Sequence, residues 1–312
     1  MPYPHRVRMS SRAALRVWVP VPPSFGGVGI FVCNAKGSID WSENPPRQTQ
    51  AEWSTQRLPS CHATVAASKL NGVRAIAIIP ARLASTRLPR KVLREINGRP
   101  MLEHVYAAAR ACPALDDVIV ATDSTEVAGL CRSRGWNFQI TSPSHRSGTE
   151  RVHEVSESIP ADVYVNVQGD EPLARREQVD TLLSLMENAD VQVGTLKTPC
   201  SGEDRDNPNA VKVVTDLEGR AMYFSRATIP FDRDAVGEVR YYKHLGFYAY
   251  RKPALDAFVQ WPESALERSE RLEQLRFLDN GVSIYVAETP FDTVGVDTEE
   301  DLRRVEEILR RS

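Results

Sequence analysis

A chain of 312 residues, 42% hydrophobic and 26% charged, has the make-up of a globular protein with a sizeable core, as one large domain or two ordinary ones. Its longest apolar stretch, residues 25–33, is about half of the roughly 20 residues a membrane-spanning helix needs and carries three glycines, so no integral membrane segment is expected. With 39 Lys/Arg against 41 Asp/Glu the net charge is −2, which argues against a nucleic-acid binder held by bulk charge.

Two unlike parts make up that sum. Residues 1–72 hold eight Lys/Arg and three acids, a charge of +5, and the remaining 240 residues carry −7. Eight of the 21 prolines and three of the five tryptophans also lie in 1–72, without a sustained apolar period, so a poorly ordered basic extension is expected there. The five cysteines form no C-x-x-C pair and the six histidines no H-E-x-x-H. Neither a disulfide framework nor a zinc site is suggested, and a reducing compartment is the default.

From Val73 the pattern becomes regular. Residues 74–79 form a short β-branched run that predicts a buried strand, followed by a polar, Arg-rich loop to Arg99. Pro100 opens a helix from Met101 to about Cys112, a strand follows over 117–121, and Thr122-Asp123-Ser124 caps a helix over 125–134. Next come a strand at 137–140, a helix at 149–157, a strand at 162–167 and a turn at Gln168-Gly169-Asp170. This rhythm predicts an α/β fold, a mostly parallel sheet with helices on both faces. Beyond a helix over 175–188, closely spaced strands at 191–197, 211–215, 221–225 and 245–250 predict a small antiparallel β lobe around 190–250. A helix at 269–280, a strand at 283–287 and a helix at 298–309, with Thr298 as N-cap and Asp301 in its first turn, close the chain.

Ligands of open parallel sheets bind at the carboxyl ends of the strands. The loop after the first strand places Arg82, Arg87, Arg90 and Lys91 within ten residues, among small residues that let backbone approach a ligand. Arg supplies planar bidentate donors and Lys a mobile point charge, a clamp suited to polyphosphate. Taken alone, such a run is more often a solvated loop. Neither the P-loop nor the dinucleotide glycine fingerprint is present, which points to nucleotidyltransferases.

Residues 78–82 (Ile-Ile-Pro-Ala-Arg), 85–89 (Ser-Thr-Arg-Leu-Pro) with Lys91, and 97–101 (Asn-Gly-Arg-Pro-Met) resemble the opening of the 3-deoxy-manno-octulosonate (Kdo) cytidylyltransferase family. Further family signatures follow in order: 120–123 (Val-Ala-Thr-Asp), 147–151 (Ser-Gly-Thr-Glu-Arg), 166–172 (Asn-Val-Gln-Gly-Asp-Glu-Pro), 207–212 (Asn-Pro-Asn-Ala-Val-Lys), 223–230, 244–246, 272–276 and 295–298. The sialate branch shares the Ile-Pro-Ala-Arg opening but lacks Ser-Arg-Ala-Thr-Ile-Pro (225–230) and Glu-Gln-Leu-Arg (273–276).

The resemblance implies a fold of the nucleotide-diphospho-sugar transferase type and the reaction CTP + Kdo → CMP-Kdo + pyrophosphate, for lipopolysaccharide biosynthesis. Arg82, Arg87 and Lys91 are then expected on the leaving phosphates, with Arg90 standing where the family more often has glycine. Asp170 and Asp297 are expected to hold Mg²⁺, which neutralises phosphate charge and lowers the pKa of the attacking hydroxyl. Read alone, Asp170 is a turn residue and Asp297 a helix-preceding cap. Ala81, Arg82, Thr122, Ser147, Gly148 and Thr149 are expected to read cytosine, the last three also serving as a capped helix start, with Gln168 between the two ligands. Arg226, His244, Glu273 and Gln274 are assigned to Kdo, with Arg151, Ser225 and Tyr248 behind them.

A homodimer through the 190–250 lobe and a cytoplasmic location are further implications of the resemblance. Rival readings are a cytidylyltransferase for 8-amino-Kdo, sialate or pseudaminate, and a non-catalytic nucleotide-binding module. Residues 1–72 read either as a transit-peptide-like leader, which would make the location organellar, or as an upstream extension of the reading frame. The second is preferred, with no Met between Met9 and Met101.

Overall fold

The computed structural model describes residues 72–83, 85, 87–234, 237 and 239–311. The extension expected over 1–72 therefore lies, apart from Gly72, outside the described residues. In chain order the elements are β1 (Ala75–Pro80), a 3-10 turn (Lys91–Leu93), β2 (Glu95–Ile96), β3 (Arg99–Pro100), α1 (Met101–Arg110), β4 (Asp117–Thr122), α2 (Thr125–Arg134) and β5 (Asn137–Ile140). Then follow α3 (Gly148–Ser158), β6 (Val163–Asn166), α4 (Arg176–Leu185), β7 (Val193–Pro199), α5 (Gly202–Arg205), β8 (Lys212–Thr215) and β9 (Ala221–Ser225). The last group is β10 (Tyr242–Arg251), α6 (Lys252–Gln260), α7 (Ala265–Glu270), α8 (Leu275–Asp279), β11 (Ile284–Glu288) and α9 (Glu299–Arg311).

The main sheet runs β11-β7-β10-β6-β1-β4-β5. β6, β1, β4 and β5 are mutually parallel, while β10 lies antiparallel between β6 and β7. The antiparallel strands expected around 190–250 are present and continuous with this sheet, because β8 pairs with both β9 and β10. β1 is buried on both faces, which is why its sequence is a continuous apolar run rather than an alternation. Ala75, Ala77 and Ile79 pack on one side with Leu102 and Val105 of α1 and Val179 and Leu182 of α4. Ile76 and Ile78 pack on the other with Val152 of α3 and Leu255 and Phe258 of α6. A third cluster joins Leu88 of the basic loop to Ile96, Met101, Val296, Leu302 and Val305, so α9 holds that loop against the sheet's ligand edge.

Three expectations need correction. The loop to Arg99 contains a two-stranded hairpin, β2–β3, turning at Asn97 and Gly98 with φ of +51° and +75°. The helix α6 follows β10 directly, with Pro253 in its first turn, and was not expected. The helix expected over 269–280 is two helices, broken at Arg271, which takes φ +56° as the C-cap of α7. Glu273 and Gln274 sit in that break.

Candidate active site

The basic loop leaves the sheet where Ala81 N–H donates to Ala121 O at 2.9 Å, at the carboxyl ends of β1 and β4. Leu88 is fully buried and fixes the middle of the loop, so Arg87 and Lys91 flank an anchored point. Two carboxylates from distant segments meet them. The Lys91 ammonium lies 2.5 Å from Asp170 Oδ2 and 2.9 Å from Asp297 Oδ1, and Arg87 Nη2 lies 2.9 Å from Asp297 Oδ2. Asp170 stands in the turn after β6 and Asp297 before α9, and Val296 N–H donates to Asp170 O at 2.9 Å, which ties the segments together. The Asp301 carboxylate accepts from the N–H groups of Asp297 and Thr298, and Asp301 N–H donates to Thr298 Oγ1, as the expected cap requires.

Gly169 has a steric reason to be glycine: a Cβ there would lie 2.7 Å from Pro80 O. Such contact would push the Asp170 turn off the end of β1. Burial alone would raise the Asp297 carboxyl, but Lys91 and Arg87 outweigh it and hold it below the usual carboxylate range. Burial disfavours the Lys91 ammonium; Asp170 and Asp297 together reverse that and raise it. A cationic nitrogen bridging two carboxylate oxygens marks a place suited to a hard divalent cation, so Asp170 and Asp297 fit the ligand role expected of them. A second potential ligand group, His153, Glu157 and Asp256 between α3 and α6, already encloses the ammonium of Lys252 and lies away from the carboxyl ends of the parallel strands.

Arg90 does not join the clamp. Its backbone keeps a left-handed conformation (φ +56°, ψ 32°), the kind glycine favours, and its guanidinium pairs with Glu126 of α2. The departure from glycine leaves the turn in place and sends the charge elsewhere.

A cleft of about 760 Å³ opens beside these groups, with Arg87 and Asp297 in its wall. Gly148, Thr149 and Gln168 line it, as do all four residues assigned to the sugar, Arg226, His244, Glu273 and Gln274. Lys91 and Asp170 reach it through Asp297. Ala81, Arg82, Thr122 and Ser147 are not in its lining: Ala81 and Thr122 are buried at strand ends, and Arg82 is exposed after β1. Ser147 caps α3, accepting from Glu150 N–H at 3.2 Å, and with Thr149 also bonds the Glu273 carboxyl. The segments expected to read the base and the sugar are thus in direct contact. Burial raises the Glu273 carboxyl above its usual range.

The Arg226 guanidinium is aimed by two carbonyls, donating from Nε to Glu270 O at 2.7 Å and from Nη1 to Pro208 O at 2.9 Å. His244 Nε2 lies 3.0 Å from Thr195 Oγ1, with Phe224 edge-on at 4.9 Å. Burial pushes the imidazole down to about 3, so His244 is neutral at pH 7 and offers hydrogen bonding rather than charge.

Tyr248 lines the cleft, whereas Arg151 and Ser225 do not. Arg151 is fully buried and pairs with Asp123 at 3.0 Å and with Thr141. Ser225 Oγ donates to Glu270 at 2.7 Å. Both hold structure. Sequence reasoning passed over Lys243, 3.0 Å from Asp292, and Glu171, whose carboxyl burial raises to about 7; both line the cleft. Their signal was adjacency, Lys243 to His244 and Glu171 to Asp170.

A mostly parallel sheet whose carboxyl edge joins a basic loop to two carboxylates, with a cleft alongside, is the arrangement a nucleotidyltransferase needs. The family described as Cytidylyltransferase matches residues 76–284. The chain is 71% identical over 238 residues to the 3-deoxy-manno-octulosonate cytidylyltransferase of Koribacter versatilis, covering 76% of this chain and 91% of that one. It is 56% identical over 240 residues to the enzyme of the same name from Acidobacterium capsulatum, covering 77% and 98%. Among solved structures, CMP:2-keto-3-deoxy-manno-octonic acid synthetase complexed with CTP superposes with a TM-score of 0.74 at 41% identity, over 76% of this chain and 99% of that one. The 4-diphosphocytidyl-2C-methyl-D-erythritol synthase of Anaerococcus prevotii, at 17% identity and TM-score 0.55 over 78% and 98%, shares the fold. The chain belongs to the 3-deoxy-manno-octulosonate cytidylyltransferase family.

Proposed function

We propose that the protein transfers CMP from CTP to the anomeric hydroxyl of Kdo, forming one phosphate ester bond and releasing pyrophosphate, as a step of lipopolysaccharide biosynthesis in the cytoplasm. The observation that carries this reading is that Arg87 and Asp297, joined to Lys91 and Asp170, stand in the wall of the same cleft that Arg226, His244, Glu273 and Gln274 line. Asp170 and Asp297 would hold Mg²⁺, which when bound spreads charge from the phosphates and acidifies the attacking hydroxyl. Arg87 and Lys91 bind the pyrophosphate leaving group and favour bond breaking by stabilising the charge it acquires. Gly148, Thr149 and Gln168 accommodate the nucleotide's base and sugar.

At the other end Arg226 meets the carboxylate of the acidic sugar, while Glu273, Gln274 and neutral His244 order its hydroxyls. Orientation of the attacking oxygen toward the α-phosphorus is the main work of this half of the cleft. A homodimer is supported by Leu217, Met222 and Phe231, large apolar side chains exposed on and beside the β8–β9 hairpin. Sedimentation of the purified protein tests it. Phosphorus NMR of a mixture with CTP, Mg²⁺ and Kdo tests the reaction: the reading expects equal amounts of pyrophosphate and a CMP diester, and CTP left intact would overturn it.

A further inference from the structure

Lys212 of β8 is fully buried. Its ammonium donates to Ala210 O at 2.5 Å, to Asn207 O at 2.8 Å and to Arg226 O at 2.8 Å. All three protons are thereby directed to main-chain carbonyls. Burying an ammonium costs several kcal/mol before compensation, so a position that needed only packing would be better served by a methionine or leucine. Burial lowers its pKa, a shift that Cys200, Asp204 and Asp206 oppose.

What those carbonyls belong to gives the ammonium a purpose. Asn207 and Ala210 bracket a turn closed on itself by Ala210 N–H to Asn207 O at 3.1 Å and Asn209 N–H to Asn207 Oδ1 at 2.9 Å. Asn207, Asn209 and Ala210 face the cleft. Arg226 follows β9 and carries the cation expected to meet the sugar's carboxylate. Its guanidinium takes its direction from the Pro208 carbonyl of the same turn. Lys212 joins the turn to the Arg226 peptide from behind, so one buried nitrogen ties the two together.

We propose that Lys212 is a positioning residue for the acid-binding end of the sugar subsite, fixing Arg226 against the 207–210 turn without touching either substrate. The inference rests on the proposed reaction. It predicts an effect confined to one substrate, since Arg87, Lys91, Asp170 and Asp297 are held by other contacts.

The test is steady-state kinetics of the full chain with CTP, Mg²⁺ and Kdo, comparing wild type, Lys212→Met and Lys212→Arg. Lys212→Met is expected to raise the KM for Kdo by about tenfold or more while the KM for CTP stays within about twofold. Lys212→Arg, which keeps a cation but not the three-carbonyl fit, is expected to fall between. It gives the readout by itself if the methionine variant does not fold. As a control, Lys197→Met removes another part-buried lysine of the same sheet, bonded at 2.8 Å to Thr215 Oγ1, and is expected to leave the sugar KM unchanged. Wild-type turnover of Kdo with an unaltered sugar KM in the Lys212 variants, or equal losses toward both substrates, would overturn the proposal. Absence of wild-type turnover with Kdo would overturn the underlying reaction as well.

Discussion

Arg90 separates what a backbone position requires from what a side chain contributes. Its left-handed φ of +56° is a conformation that disfavours any residue with a Cβ, and its ion pair with Glu126 lies on the surface. Exposed pairs are worth about 0–1 kcal/mol, comparable to the relief glycine would bring. Arg90→Gly should therefore leave stability within about 1 kcal/mol of wild type and turnover intact, as urea unfolding and pyrophosphate release would show. Asp170 and Asp297 allow no such latitude. Asp297→Asn and Asp170→Asn keep the shape but remove charge from the proposed cation site, and each should lower kcat by about a hundredfold or more at saturating substrates. Unchanged rates at any Mg²⁺ concentration would show the ligand assignment wrong. These residues drew attention because each lies in a short motif of the family resemblance, Asp170 after β6 and Asp297 before α9. Lys91's position between them was not legible, because its partners lie 79 and 206 positions away.

Among the elements, the break between α7 and α8 shows a motif divided between site and scaffold. Glu273 and Gln274 reach the cleft, whereas Arg276, two residues on, is buried and pairs with Glu267 at 2.5 and 2.7 Å, its guanidinium 4.1 Å above the Phe258 ring. That pair joins the two helices and sets the direction in which Glu273 and Gln274 point. Arg276→Ala would leave Glu267 buried without its partner, so unfolding free energy should drop by about 3–5 kcal/mol, measured by urea titration. A loss below about 1 kcal/mol would deny the pair this structural role. A helical pattern over 269–280 conceals the break, since the αL turn at Arg271 occurs at a residue with no propensity for it. The helix α6 was missed for the opposite reason: it begins where β10 ends, with no turn residues between. The β2–β3 hairpin left a readable sign in Asn97-Gly98, the dipeptide that suits a turn with two positive φ angles.

Across the whole molecule, the continuous burial of β1 and the mostly parallel sheet were readable, because a parallel sheet writes itself as apolar runs separated by helices. The protonation state of the cleft was not, since it depends on how deeply each group is buried. His244 is pushed down to about 3 against 6.5 when unfolded. Between those values the unfolded chain binds a proton that the folded chain refuses, so this group's contribution is present above pH 6.5 and is lost as pH falls. Glu171, raised to about 7, acts in the opposite sense, so a variant comparison isolates the histidine. Between pH 7 and 5, His244→Gln should lose less stability than wild type; parallel urea-unfolding curves would contradict that.

Kdo is the acceptor of CMP proposed for the cleft. The most direct test of that assignment is kcat/KM of the purified chain with CTP and Mg²⁺ for Kdo, 8-amino-Kdo, sialate and pseudaminate, read as pyrophosphate release. A site whose buried polar groups are matched to one sugar should favour Kdo by about a hundredfold or more over sialate and pseudaminate and over its 8-amino relative by a smaller margin. Turnover of any other sugar at equal or greater kcat/KM would show that the cleft is not built for Kdo.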